Sequence, residues 1–156
     1  MHWSLRIGVF MALFSVWALP CHAKDRGAQG VDAAWVKAMK ANDVNGVVKC
    51  YASDAVLWLP GVPSAKGEQA IRSAYAGLLS ANTVQDAVLS EAVYKSAGNV
   101  TVSWGRFSLT LMPKAGGNPV VLTGRYTEVI EKRNGKWVYT VDHASAEPAG
   151  MQGSKQ

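Results

Sequence analysis

The chain has 156 residues, of which 49% are hydrophobic and 17% charged, the length and composition of one globular domain. Sixteen Lys and Arg stand against eleven Asp and Glu, and the net charge of +5 is spread along the sequence rather than clustered, which argues against a nucleic-acid partner. Beyond the first 23 residues only His143 and Cys50 remain of their kinds, so an intramolecular disulfide and a Cys/His zinc site are excluded; no glycine-rich phosphate loop and no Gly-x-Ser-x-Gly elbow occurs either. No cofactor and no metal are therefore expected.

Residues 1–6 form a short, positively ended head, residues 7–19 an apolar run of 13, and Cys21 and Ala23 are small residues at the two positions a signal peptidase reads. This pattern predicts a signal peptide cleaved after Ala23 and a periplasmic or secreted protein. Thirteen residues are too few to cross a hydrocarbon core of roughly 30 Å as a helix, so no membrane association is expected after cleavage. Ala18, Leu19 and Pro20 match a lipobox poorly, which leaves Cys21 without a lipidation signal. A flexible stretch over 24–30 then leads into a domain over 31–146, and a polar tail over 147–156 is expected to be disordered.

Within the domain, helices come first. Val31, Ala34, Trp35, Ala38 and Met39 recur at helical spacing, as do Val44, Val47, Val48 and Tyr51 after a cap at Asn42 or Asp43. The short apolar run over 55–59 stops at Pro60, and 61–67 is loop chemistry with two glycines and Pro63. A third helix carries Ile71, Ala74, Tyr75, Leu78 and Leu79 and ends near Asn82. The period then changes from 3.6 to 2, with strands expected at about 86–95, 99–112, 120–132 and 136–146, a hairpin loop over 113–119 and a tight turn at Asn134-Gly135. Helices followed by antiparallel strands mean an α+β domain.

The segments NDVNGVVKCYASDAVLWLPG, KGEQAIRSAY and GRYTEVIEKRNGKWVYTVDHAS, in that order, resemble the SnoaL-like branch of the nuclear-transport-factor-2-like superfamily, which also contains ketosteroid isomerase. The likeness runs from about Val31 to Ser145. It implies a cone-shaped fold in which three N-terminal helices pack on a strongly bent, mostly antiparallel sheet enclosing a pocket, commonly as a homodimer. Chemistry does not follow from it, because the superfamily hosts cyclases, isomerases, dehydratases and pockets of no known reaction.

If Asn134-Gly135 makes a two-residue turn, Arg133 faces Lys136, Thr127 faces Asp142 and Tyr126 faces His143. Parity then places Arg125, Thr127, Thr140 and Asp142 on one face, read as the pocket face, and Tyr126, Glu128, Trp137, Tyr139, Val141 and His143 on the other. By its resemblance, Asp142 falls on the last-strand acid/base of the SnoaL cyclase, while the ketosteroid isomerase base matches Leu59 and its second pocket acid matches Thr127. An isomerase of that mechanism is disfavoured, since Leu cannot move a proton. Asp142 is either a general acid/base in an apolar cone or a structural partner of Arg125 or Thr127.

Tyr51, Trp58, Tyr75 and Trp104 are expected pocket walls or core, with Arg106 or Arg125 holding an anionic group. Trp137, Tyr139 and Val141 make an apolar stripe expected at a dimer contact. Cys50 reads as a small buried hydrophobe. The preferred reading is a secreted pocket protein binding a small apolar or aromatic molecule. The alternatives are a cofactor-free cyclase- or isomerase-type enzyme using Asp142, and a dimerisation or partner-binding module.

Overall fold

A computed structural model describes residues 23–147, with side chains from Arg26 onward; the signal segment and the tail expected at the two ends lie outside the described residues, apart from Ala23 and Glu147. The elements in chain order are α1 (Ala23–Lys40), α2 (Val44–Val48), β1 (Tyr51–Trp58), β2 (Ala65–Lys66), α3 (Glu68–Ala81), β3 (Asn82–Ala97), β4 (Val100–Pro113), β5 (Val120–Arg133) and β6 (Lys136–Ala146). The six strands form one sheet in the order β2-β1-β6-β5-β4-β3, antiparallel except for the β1–β6 pair, which is parallel. This is the expected α+β architecture, helices packed on the concave face of a mixed sheet that does not close into a barrel.

The stretch over 24–30 is helical rather than flexible. Ala28 and Val31 are buried, and α1 needs its first turns to cover the open end of the sheet. Gly27 permits this closure: a Cβ there would lie 2.1 Å from the indole Nε1 of Trp137, so the helix backbone rests directly on that ring. Tyr51 does not belong to the second helix. After its cap at Asp43 the helix lasts five residues, Val44 to Val48, and Tyr51 opens β1, where its Cα pairs with that of Tyr139.

The register of the final hairpin holds near its turn and then slips. Asn134 and Gly135, at φ 51° and 81°, make the expected turn and set Arg133 opposite Lys136. Ile130 then pairs with Tyr139 but Val129 with Val141, so Thr140 has no opposite number and β6 carries a β-bulge. Beyond it Glu128 faces Asp142 and Thr127 faces His143, one residue away from the unbroken count. The consequence is a change of face. Tyr139 before the bulge and Asp142 after it both point into the concave side, whereas Val141 and His143 point out.

This overturns the expected dimer stripe. Tyr139 is 1% exposed, and Trp137 is covered by α1. On β5 it is Tyr126, Glu128 and Ile130 that are buried, while Arg125 and Thr127 are exposed, the reverse of the expected assignment. A further bulge between Ser90 and Val93, where Glu91 takes φ 53°, bends the long β3. Lys40 on α1 pairs with Asp86 at 2.7 Å near the start of that strand.

Gly124 marks the tightest strand contact, since a Cβ there would lie 2.0 Å from the Ser145 carbonyl oxygen and 2.6 Å from the Phe107 ring. Backbone cannot yield as a side-chain tip can. Gly124→Ala is expected to cost about 1–3 kcal/mol in chemical denaturation. Gly30→Ala, with no heavy atom within 4 Å of the added methyl, is expected to gain roughly 0.5–1 kcal/mol by restricting the unfolded chain.

Candidate functional site

Between α1, α3 and the concave face of β3–β6 lies a cavity of about 390 Å³. Its walls are apolar: Met39, Leu59, Leu78, Leu89, Phe107, Leu109 and Leu122, with Pro60 and Val62 from the loop after β1. The polar groups among its lining residues come from Trp35, Ser73, Tyr75, Tyr126, Glu128 and Asp142. A cavity of this size and character is of the kind that holds a small organic molecule.

Two hydrogen-bonded chains converge on the carboxyl groups. In the first, the Tyr51 hydroxyl donates to Asp142 Oδ2 at 2.5 Å. Its single proton is thereby used, so the 2.6 Å contact between the Tyr51 and Tyr75 hydroxyls is one in which Tyr75 donates, and Tyr75 in turn accepts the Trp35 indole N–H at 3.1 Å. The direction is fixed from Trp35 through Tyr75 and Tyr51 to Asp142. Such a chain polarises each link toward the carboxylate and satisfies groups that are otherwise cut off from water.

The second chain lies beside the first, toward α1. Asp32 accepts hydroxyl protons from Tyr94 at 2.6 Å and Tyr139 at 2.7 Å, and it shares a further hydrogen bond with Glu128, which also accepts from the Ser103 hydroxyl at 2.6 Å. Two carboxyl groups in hydrogen-bond contact must hold a proton between them, and the donors decide which keeps it. Burial raises Asp32 as well, but the hydrogen bonds from Tyr94, Tyr139 and Glu128 pull it back, so of the two acids it is Asp32 that gives up the shared proton. Glu128 is pushed up to about 10 by burial first and then by the charges of Asp142 and Asp32, and it is a neutral acid near neutral pH.

Asp142 differs from both. Burial raises it and the Asp32 charge raises it further, but the Tyr51 hydroxyl holds it back, so it comes to about 6 and titrates near neutrality. A carboxylate with its proton affinity set there, in the wall of an apolar cavity, is suited to taking up and returning a proton. Tyr126 is the remaining polar group. Its ring lines the cavity, yet its buried hydroxyl has no hydrogen-bond partner among the described residues.

The sequence-based candidates divide sharply. Asp142 and Tyr75 line the cavity, and Tyr51 stands behind Asp142 as the residue that positions it. Trp58 and Trp104 do not enter it; they are 45% and 40% exposed on the convex face, with Trp58 edge-on to His143. Arg106 and Arg125 also lie outside, both paired with Glu147 at 3.0 and 3.5 Å, so neither can hold an anionic ligand and Arg125 is not the partner of Asp142. Thr127 is exposed, and Thr140 uses its hydroxyl on the Val129 carbonyl and Glu131. Cys50 is buried, its thiol pushed up to about 11 by burial and the Asp32 charge, and donates to the Gly46 carbonyl.

Three residues escaped the sequence reading: Glu128, Asp32 and Tyr126. For the two on β5 a signal existed, because Leu122, Tyr126 and Ile130 alternate as the more apolar set of that strand and carry Glu128 inward with them. Asp32 had none beyond an acid on the apolar side of a helix. Among the described residues the acidic groups do not converge in a metal-binding cluster.

Because the raised carboxyl of Asp142 favours the protonated folded form, its contribution to stability is full below the unfolded value near 3.8 and is lost as the pH rises through about 6. Asp142→Asn cannot titrate. The difference between wild type and variant in unfolding free energy, followed from pH 3.5 to 7.5, is expected to change by about 3 kcal/mol against the wild type, nearly all of it between pH 4 and 6.5.

Comparison with known proteins places this geometry. The chain has a TM-score of 0.73 and 26% identity to a candidate calcium/calmodulin dependent protein kinase II association domain from Xanthomonas campestris, over 85% of this chain and 94% of that one. A ketosteroid isomerase-like protein from Erwinia carotovora atroseptica aligns at 0.72 and 19% identity, over 81% and 98%, and a candidate dehydratase of the NTF2-like family from Streptomyces avermitilis at 0.74 and 16%, over 83% and 100%. The last two likenesses are of fold. No curated protein matches the chain. The family model for the SnoaL-like domain matches residues 33–140, which covers most of the chain and all but the ends of the cavity-bearing cone, and the protein belongs to that family.

Proposed function

We propose that the protein binds a small, largely apolar or aromatic molecule in the cavity, with Asp142 meeting its polar end. The observation that carries this reading is the combination of about 390 Å³ of apolar space with a single carboxylate in its wall that is held by one hydroxyl only. A carboxylate kept in such surroundings is costly unless it has work to do there, and among the described residues its hydrogen-bond donor is the Tyr51 hydroxyl rather than a cation or a backbone amide.

A second reading, cofactor-free proton transfer, is favoured by the split between Asp142 and its neighbours. Asp142 would remove and return a proton beside a carbonyl, and the developing oxyanion needs a donor. Glu128 gives its proton to Asp32 and Tyr75 gives its own to Tyr51, so the uncommitted donor is the Tyr126 hydroxyl. The isomerase- and dehydratase-like fold neighbours support the possibility of such chemistry and assign none to this chain.

Export follows from the charged head, apolar run and small-residue site at the N-terminus, and native mass spectrometry of the exported protein tests it together with the pocket. The expected species starts at Lys24 and retains a small molecule that is lost in Ala74→Phe, which puts a ring into the cavity wall. Turnover of that molecule which ceases in Asp142→Asn while binding persists would establish the enzyme; a mature protein that retains and binds nothing would leave the interaction-module reading.

Homodimerisation in this reading uses a different surface from the stripe on β6. Across the convex face Val93, Trp104, Thr127, His143 and Trp58 follow one another on adjacent strands, a row in which exposed Val93, Trp104 and Trp58, with Val102 beside them, are the apolar members. The Xanthomonas campestris protein that this chain resembles is described as an association domain, which supports assembly as a reading. Trp104→Glu is expected to shift a wild-type dimer to monomer in sedimentation velocity without lowering the melting temperature, because its ring contributes little to the core.

A further inference from the structure

The charges of the molecule are sorted by face. Among the described residues no Lys, Arg or His lines the cavity. Arg106 and Arg125 meet Glu147 on the convex side, Arg72 meets Glu68 and Asn45 outside α3, Lys40 meets Asp86, and the Lys114 ammonium donates to the Leu79 carbonyl. Asp142, by contrast, is faced by Tyr51 from β1, Tyr75 from α3, Glu128 and Tyr126 from β5, Tyr139 from its own strand and Asp32 from α1. Every one of these is a hydroxyl or a carboxyl group. Among the described residues no cation within the cone offsets the negative charge of Asp142 and Asp32.

We propose, resting on the pocket reading above, that the cavity takes a small apolar molecule bearing an ammonium group, which pairs with Asp142. Charge complementarity in a low-dielectric site excludes an anion, since it would stand against two carboxylates with no cation to balance it. An ammonium is a donor on every side, so once it leaves water it must be met by an acceptor. Asp142 supplies the anion, with Oδ2 already taken by Tyr51 and Oδ1 left for the ligand. The rings of Trp35, Tyr75, Phe107 and Tyr126 in the wall provide the polarisable surface that organic cations favour. The apolar remainder of the ligand fills the space between Leu78, Leu89, Leu109 and Leu122.

Three probes with one ring system separate this proposal from the reading it rests on: naphthylmethylamine, naphthylmethanol and naphthoate, titrated calorimetrically into the full mature chain. At about pH 7.5 the amine is expected to bind at least about tenfold more tightly than the alcohol, and the carboxylate more weakly than either. Affinity for the amine should fall as the pH is lowered through about 6, where Asp142 takes up its proton, while that for the alcohol stays constant. Asp142→Asn should bring the amine down to the alcohol. If that variant does not fold, as judged by its near-ultraviolet circular dichroism, the pH dependence in the wild type decides alone. Equal or tighter binding of the alcohol, or tightest binding of the carboxylate, overturns the ammonium assignment and leaves the pocket reading intact. Failure of all three probes to bind overturns the ammonium assignment and counts against the pocket reading as well.

Discussion

The unpaired residue Thr140 decides what the concave face contains. Between Tyr139 and Asp142 an unbroken strand would turn one inward and the other outward, since they are an odd number apart. With Thr140 bulged out of the ladder, both face in, and the bulge is held by the Thr140 hydroxyl, whose one proton lies between the Val129 carbonyl and Glu131 on the neighbouring strand. On the other side, Tyr139 keeps its amide on the Cys50 carbonyl at 2.8 Å, so the strand is fixed where it leaves the regular pattern. Asp142 then meets Tyr51 and Glu128, and Tyr139 meets Asp32. Neither hydrogen-bonded chain could form without that displacement.

Given those positions, the two chains divide the protons in opposite ways. Asp32 gathers two hydroxyl donors and carries charge, leaving Glu128 neutral; Asp142 has one and is poised. Tyrosine is the fitting donor for all three contacts, because a long rigid side chain can bury its ring in the core and still deliver a proton to a carboxylate. Tyr51, Tyr75 and Tyr139 also pack against one another, Tyr51 at 5.9 and 5.1 Å between ring centres from the other two. The same rings thus serve as core and as the second layer of the site. Loss of any one hydroxyl would be felt as a changed proton affinity before it was felt as a changed shape.

Sorting of charge follows from the same economy of donors. A buried arginine would have neutralised Asp142 and left it inert, whereas hydroxyl groups stabilise the anion only in part and keep its affinity for a proton, or for an organic cation, within reach of neutral pH. The convex face, free of this demand, carries the arginines, their Glu147 partner and the exposed tryptophans. In the SnoaL-like family, where one fold serves many chemistries, such local choices rather than the cone itself decide what a member does.

The stripes of α1 and α3, the run of long strands after α3, the Asn134-Gly135 turn and the family were legible in the order of periodicities along the chain, because each depends on residues close in sequence; that β1 and the two-residue β2 precede α3, with β2 inside the expected loop over 61–67, was not. Asp142 and Tyr75 were legible as pocket residues for the same reason, one from its place in the final hairpin and one from the stripe of α3. Which face each strand presents was not, because parity is a count, and one bulge at Thr140 changes every count beyond it. Burial of Asp32 was also out of reach, since its partners Tyr94, Glu128 and Tyr139 stand 62, 96 and 107 positions away and meet it only when α1 closes over the sheet. The sequence by itself determined the elements and the kinds of side chain available; the tertiary structure alone decided which acids lost their water, and with that which one became a neutral acid, which a structural anion and which a group that titrates near neutrality.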